Sequence, residues 1–146
     1  MNSDPSVIVE RHMVRFVAVH AKTTEVTQKV YLAAEPLPDA DGETDCWTHA
    51  REYVESNGGR YVEGFCLRPG NRLAPHAWVE QDHPLGGVRL IEVTRGYRYA
   101  SGYRGLAVDL DATADDFHDG RRRYSALQLA IFEQRDPKTI LAQIGA

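Results

Sequence analysis

No stretch of this sequence stays apolar for the roughly 20 residues that a membrane-spanning helix requires, so neither a membrane span nor a membrane partner is expected. Cysteine is scarce: the two present, Cys46 and Cys66, are too few for a disulfide framework and are expected as thiols in a reducing compartment. The opening residues MNSDPSVIVERHMVRF lack a basic segment leading into an apolar one, so they do not read as a secretory signal, and a cytoplasmic location is expected. A large charge excess is missing too. The formal net charge of −4 argues against nucleic acid as a partner, and the basic cluster GRRRY at 120–124 reads as a solvated helix face. There are no repeats, and 146 residues suit one domain with one cleft, so 1–146 is read as a single domain.

What is present is a run of short elements. Residues 6–20, SVIVERHMVRFVAVH, place Val14, Phe16 and Ala18 on one side at period two, which predicts a strand or a strand pair; TQKVYLAA at 27–34 predicts another. The Pro-, Gly- and Asp-rich EPLPDADGETD at 35–45 predicts a loop ending in a helix cap at Thr44 or Asp45. Next, CWTHAREYVESNGG spaces Cys46, Ala50, Tyr53 and Val54 as one helix face, and Asn57-Gly58-Gly59 predicts a left-handed stop. Strands follow at 60–67, 75–80 and 88–94 with hairpin-length linkers, then one near 103–110, and the chain closes on helical patterns. Strands, a helix, an antiparallel meander and then helices indicate α+β.

Chemistry is suggested first by Cys46. A thiol in the first turn of a helix feels the positive end of the dipole, so its pKa is expected to fall toward a reactive thiolate. The second group is His76, at the start of the strand HAWVE. If the hairpin around QDHPLGG is symmetric about residue 84, His76 faces Glu92, Trp78 faces Leu90 and Glu80 faces Val88, all on one side. A carboxylate across from an imidazole fixes its tautomer and leaves the other ring nitrogen free to take a thiol proton. Helix-borne thiol, imidazole and acid form the constellation of nucleophilic acyl chemistry. Cys66 reads as buried and inert, and alternation leaves Glu63 open between a cleft wall and solvent. Cys46-x-x-His49 raises a metal alternative, but zinc sites usually rest on paired short spacings and only one is here; no metal or cofactor is expected.

These residues resemble the transglutaminase-like superfamily with its papain-like core. DCWTHA at 45–50 looks like the nucleophile segment, GGRYVEGF at 58–65 is similar to the strand leading to the base, HAWVE matches the histidine motif, and LIEVT at 90–94 stands where the acid lies. The resemblance spans roughly a third of the chain, residues 45–94. It implies a Cys-bearing N-terminal helix packed on an antiparallel sheet, with Cys46 as nucleophile, His76 as base and acid, and Glu92 as orienter. Trp47 and Trp78 are the expected substrate contacts.

Two departures are visible: Glu92 and Val93 stand where the family has Asp and Pro, and Asp45 precedes the cysteine, where a carboxylate raises the thiol pKa. RGYRYASGYRG at 95–105 follows the acid, either as a cleft wall or as a surface loop. The expected activity is hydrolysis or acyl transfer at an amide, peptide or isopeptide bond through a thioester, on a peptide or protein substrate. The alternative is a catalytically weak or inactive module that holds a peptide or protein partner in the same cleft.

Overall fold

The structure, a computed structural model, describes residues 15–21, 26–32, 46–110 and 136–144. It is α+β: helix α1 (residues 15–20), strand β1 (Val26–Tyr31), helix α2 (Cys46–Asn57), strands β2 (Arg60–Arg68), β3 (Arg72–Asp82), β4 (Val88–Glu92) and β5 (Ser101–Ala107), and helix α3 (Pro137–Ile144). The five strands form one sheet in the order β1-β4-β3-β2-β5. No helix among the described residues is long and apolar enough to cross a membrane.

The sheet is mixed, which corrects the expectation of an antiparallel one. β2, β3, β4 and β5 pair antiparallel, whereas β1 docks parallel to β4, from Val26 opposite Val88 to Tyr31 opposite Glu92. The expected strand at 6–20 is also corrected over 15–20, which is helical. Period two marked Phe16 and Ala18, yet Val17 is fully buried beside Phe16 and Ala21 while Ala18 is exposed. That is a helical stripe, and packing overrides the β propensity of Val and Phe. Residues 6–14, the expected cap at Thr44 or Asp45, and the helical pattern across 114–135 lie outside the described residues.

Helix α2 follows the sequence reading closely. It buries Cys46, Trp47 and Ala50, with Tyr53 and Val54 packed partly against the same core. It stops at Gly58, whose φ of 81° suits a left-handed cap and whose N–H donates to the Val54 carbonyl at 2.8 Å.

The β3–β4 register differs from the symmetric guess. Glu80 pairs with Leu90 and Asp82 with Val88, so the hairpin is centred on residue 85 rather than 84. Its loop closes with His83 N–H donating to the Gly87 carbonyl, and Gly86 and Gly87 take φ of 100° and 72°. Each expected partner is therefore displaced by two residues, an even shift, and every side chain keeps its face.

The two faces have different covers. Ala77, Val79, Ile91, Tyr61 and Leu106 meet Cys46, Trp47, Ala50, Phe16, Val17 and Ile140 in the main core, so the helices lie on this side. On the reverse, Val62, Trp78 and Leu90 form one cluster, and Cys66, Tyr97 and Ala100 form another, with Tyr103 packed against both.

Candidate functional site

His76 and Glu92 come together as expected, although by a diagonal contact rather than the direct pairing guessed. His76 Nε2 lies 2.7 Å from Glu92 Oε1, with both side chains fully buried. The carboxylate accepts twice more: Tyr103 donates its hydroxyl to Oε1 at 2.7 Å, and the Thr94 backbone N–H donates to Oε2 at 3.1 Å. The end of β1 also fixes this position, because the Leu32 N–H donates to the Glu92 carbonyl at 2.8 Å. Both oxygens of this buried side chain thus have hydrogen-bond partners, which offsets the cost of burying a polar group.

The imidazole is clamped face-on. Tyr97 stacks on it with centroids 3.7 Å apart and planes 6° from parallel. Lys29 Nζ donates to the carbonyls of Tyr97, Arg98 and Ala100 at 3.1, 3.0 and 2.6 Å, which ties this loop to β1. Lys29 has its pKa lowered, chiefly by burial, with the Glu92 and Cys66 charges opposing. The 95–105 segment is thus a wall over His76. While Nε2 is engaged, His76 Nδ1 is buried and has no hydrogen-bond partner.

Cys46 belongs to the opposite face of β3. It sits in the helix-side core with Ala77, the residue after His76. The pairing of β4 with β3 reaches only Val79 and Ile91, short of Ala77, and the backbone N–H groups of Ala77 and Trp47 bear on the Cys46 sulfur. His76 directly precedes Ala77 on β3, with its side chain on the other face of the strand.

The sulfur's electrostatics correct the sequence expectation. Burial pushes the Cys46 thiol well up; the two backbone N–H groups pull down, and the carboxylates of Glu92 and Glu63 add to the rise. A helix terminus contributes about 0.3–1 kcal/mol to a charged group. Burial shifts a pKa by as much as about 3–5 units, at about 1.4 kcal/mol each, so desolvation wins. Asp45 lies outside the described residues.

Neither tryptophan presents a surface in this state. Trp47 is buried in the helix-side core, and Trp78 is fully buried on the His76 face with its indole N–H donated to Glu80 Oε2 at 2.9 Å. Glu63, left open by the sequence, is fully buried and accepts from the Tyr61 hydroxyl. Tyr97 and Tyr103, which lie against the imidazole, and Lys29, which ties their segment to β1, have no local signal in the sequence, because loop packing and the parallel docking of β1 leave none. Among the described residues no three His, Cys, Asp or Glu side chains are grouped to hold a metal ion.

The buried thiols give a pH prediction. Cys46 is raised, Cys66 is pushed up to about 12 mainly by burial, and Tyr103 is raised by burial and then by Glu92. Each contributes stability that is complete below its unfolded-state pKa and is lost as pH rises toward the folded value. For the thiols that loss begins near about pH 8.5. Lys29, with its lowered pKa, works in the opposite sense near the top of the range. The urea midpoint is expected to fall between about pH 8 and pH 11, and Cys66→Ala should flatten that fall. An equal slope in the variant removes Cys66 from the account.

No protein-family model, curated protein or solved structure matches this chain.

Proposed function

We propose that the chain is a cysteine-dependent hydrolase or acyltransferase of the transglutaminase-like kind, with a papain-like core, acting on an amide, peptide or isopeptide bond through a thioester. Cys46 is the nucleophile, His76 the base and acid, and Glu92 the orienter. The observation that carries this reading is the asymmetry of the imidazole: Nε2 is tied to Glu92 at 2.7 Å while Nδ1 is unpartnered. It lies one residue from the backbone N–H that bears on the Cys46 sulfur.

With its pKa raised, the resting sulfur is a neutral thiol, so attack proceeds by general-base transfer. For attack the sulfur leaves the Ala77 N–H and passes the edge of β3 beyond the Val79–Ile91 pair to reach Nδ1, gives it the S–H proton and bonds to the acyl carbon. Nδ1 then delivers that proton to the departing amine, leaving a thioester on Cys46. Water, losing a proton to Nδ1, attacks the thioester; the thiolate leaves and recovers the proton, and the acid is released. Through each transfer Nε2–H stays on Glu92.

Incubation with p-nitrophenyl acetate followed by peptide mass spectrometry tests this. Acetylation is expected on Cys46, lost in Cys46→Ser, retained in Cys66→Ser, and slowed about 10²-fold or more in His76→Asn. Label on Cys66, or no effect of His76→Asn, overturns the assignment. The binding-module reading is favoured by the burial of both groups, with Cys46 1% and His76 0% exposed. Its signature is an unacylated Cys46 under all these conditions.

A further inference from the structure

We infer that Tyr103 is a positioning residue that sets the tautomer of His76, keeping the proton on Nε2 and the lone pair on Nδ1. The inference rests on the proposed role of His76 as a base. Two proton arrangements fit a 2.7 Å contact between Nε2 and Glu92 Oε1: N–H facing a carboxylate, or a bare nitrogen facing a protonated carboxyl. Only the first leaves Nδ1 able to accept a thiol proton. In the second, the ring hydrogen sits on Nδ1 and the base is lost.

Glu92 is steered to the first arrangement by the other donors. Thr94 N–H occupies Oε2 at 3.1 Å, and the Tyr103 hydroxyl, 2.7 Å from Oε1, donates to the very oxygen that the second arrangement needs protonated. Donors converging on a carboxylate favour its ionised form, so Nε2 must supply the hydrogen of its own contact. Tyr103 is suited to this task. Burial and the adjacent carboxylate raise its pKa, so it remains a phenol and a donor. Its ring is held edge-on to Trp78, centroids 5.0 Å apart, with Lys29 Nζ 5.0 Å from its centroid, which aims the hydroxyl.

Nitrogen-15 spectra of histidine-labelled protein at neutral pH read the tautomer directly. The wild type is expected to show His76 with Nε2 protonated and Nδ1 bare. Tyr103→Phe removes the hydroxyl and keeps the ring, and is expected to give a mixture with Nδ1 partly protonated. His83 is an internal reference, because its Nδ1 accepts from the Leu85 N–H at 3.1 Å whatever Tyr103 does.

In turnover, Tyr103→Phe is expected to lower kcat about 10- to 100-fold with KM little changed, the loss of one charge-assisted bond. A wild type with hydrogen on Nδ1, or an unchanged His76 pattern in folded Tyr103→Phe, overturns the inference. A tautomer change in a protein whose Cys46 never acylates upholds the positioning and instead defeats the hydrolase reading.

Discussion

Glu92→Ala is expected to destabilise the fold by about 3–5 kcal/mol, because buried donors left without their acceptor cost about 1–3 kcal/mol each. The carboxylate is fully buried and accepts from His76 Nε2, the Tyr103 hydroxyl and the Thr94 N–H, and truncation leaves all three without that acceptor. Domains of this size are stable by only about 5–15 kcal/mol, so the loss is a large share of the total. Glu92→Gln keeps the volume and one acceptor but brings an NH2 to a point where only donors converge. About 1–3 kcal/mol is expected for that mismatch. Urea unfolding of the three proteins checks the order wild type, Gln, Ala. A Glu92→Ala midpoint within error of wild type would show that the network contributes nothing to the fold.

Gly64→Ala is the second large effect, and it acts through backbone. A Cβ at Gly64 meets the Arg104 carbonyl oxygen at 2.0 Å and Gly105 Cα at 2.5 Å, so no side-chain rotation relieves it. β5 must draw away from β2 where Gly64 pairs with Gly105. Overpacking ordinarily costs about 1–3 kcal/mol and occasionally more; main-chain obstacles put this case at or above about 3 kcal/mol. Because β5 carries Tyr103, its retreat also takes a donor from Glu92. Gly105→Ala strikes the Glu63 carbonyl oxygen at 2.5 Å and the Trp78 ring at 2.8 Å. It should therefore shift Trp78 fluorescence as well as the unfolding midpoint, and wild-type midpoints in both variants would refute the close approach.

Local features were legible and distant ones were not. Helix α2 and its glycine stop are written within CWTHAREYVESNGG, and the turns that make β2, β3 and β4 a meander are written in RPGNRLA and QDHPLGG. Period two placed His76 and Glu92 on one face, and it survived a misjudged hairpin centre because the error was even. The parallel docking of β1 on β4 had no such signal, since its partners lie some 60 residues apart and no turn links them. For Cys46 the sequence showed the helix terminus but not the depth of burial, and depth decides the thiol's charge state.

The three carbonyls gripped by Lys29 make the imidazole's surroundings depend on a strand met early in the chain. Contacts of long sequence separation form late, after their loop entropy has been met. The antiparallel meander can close around Glu92 from local turns alone, but Tyr97 has its full anchorage only once β1 has arrived. The His76–Glu92 pair joins residues 16 apart in sequence, whereas the tie from Lys29 to Ala100 that holds the aromatic cover in place spans 71, so the shielding of that ring from water rests on the contact of the site with the larger entropy of closure.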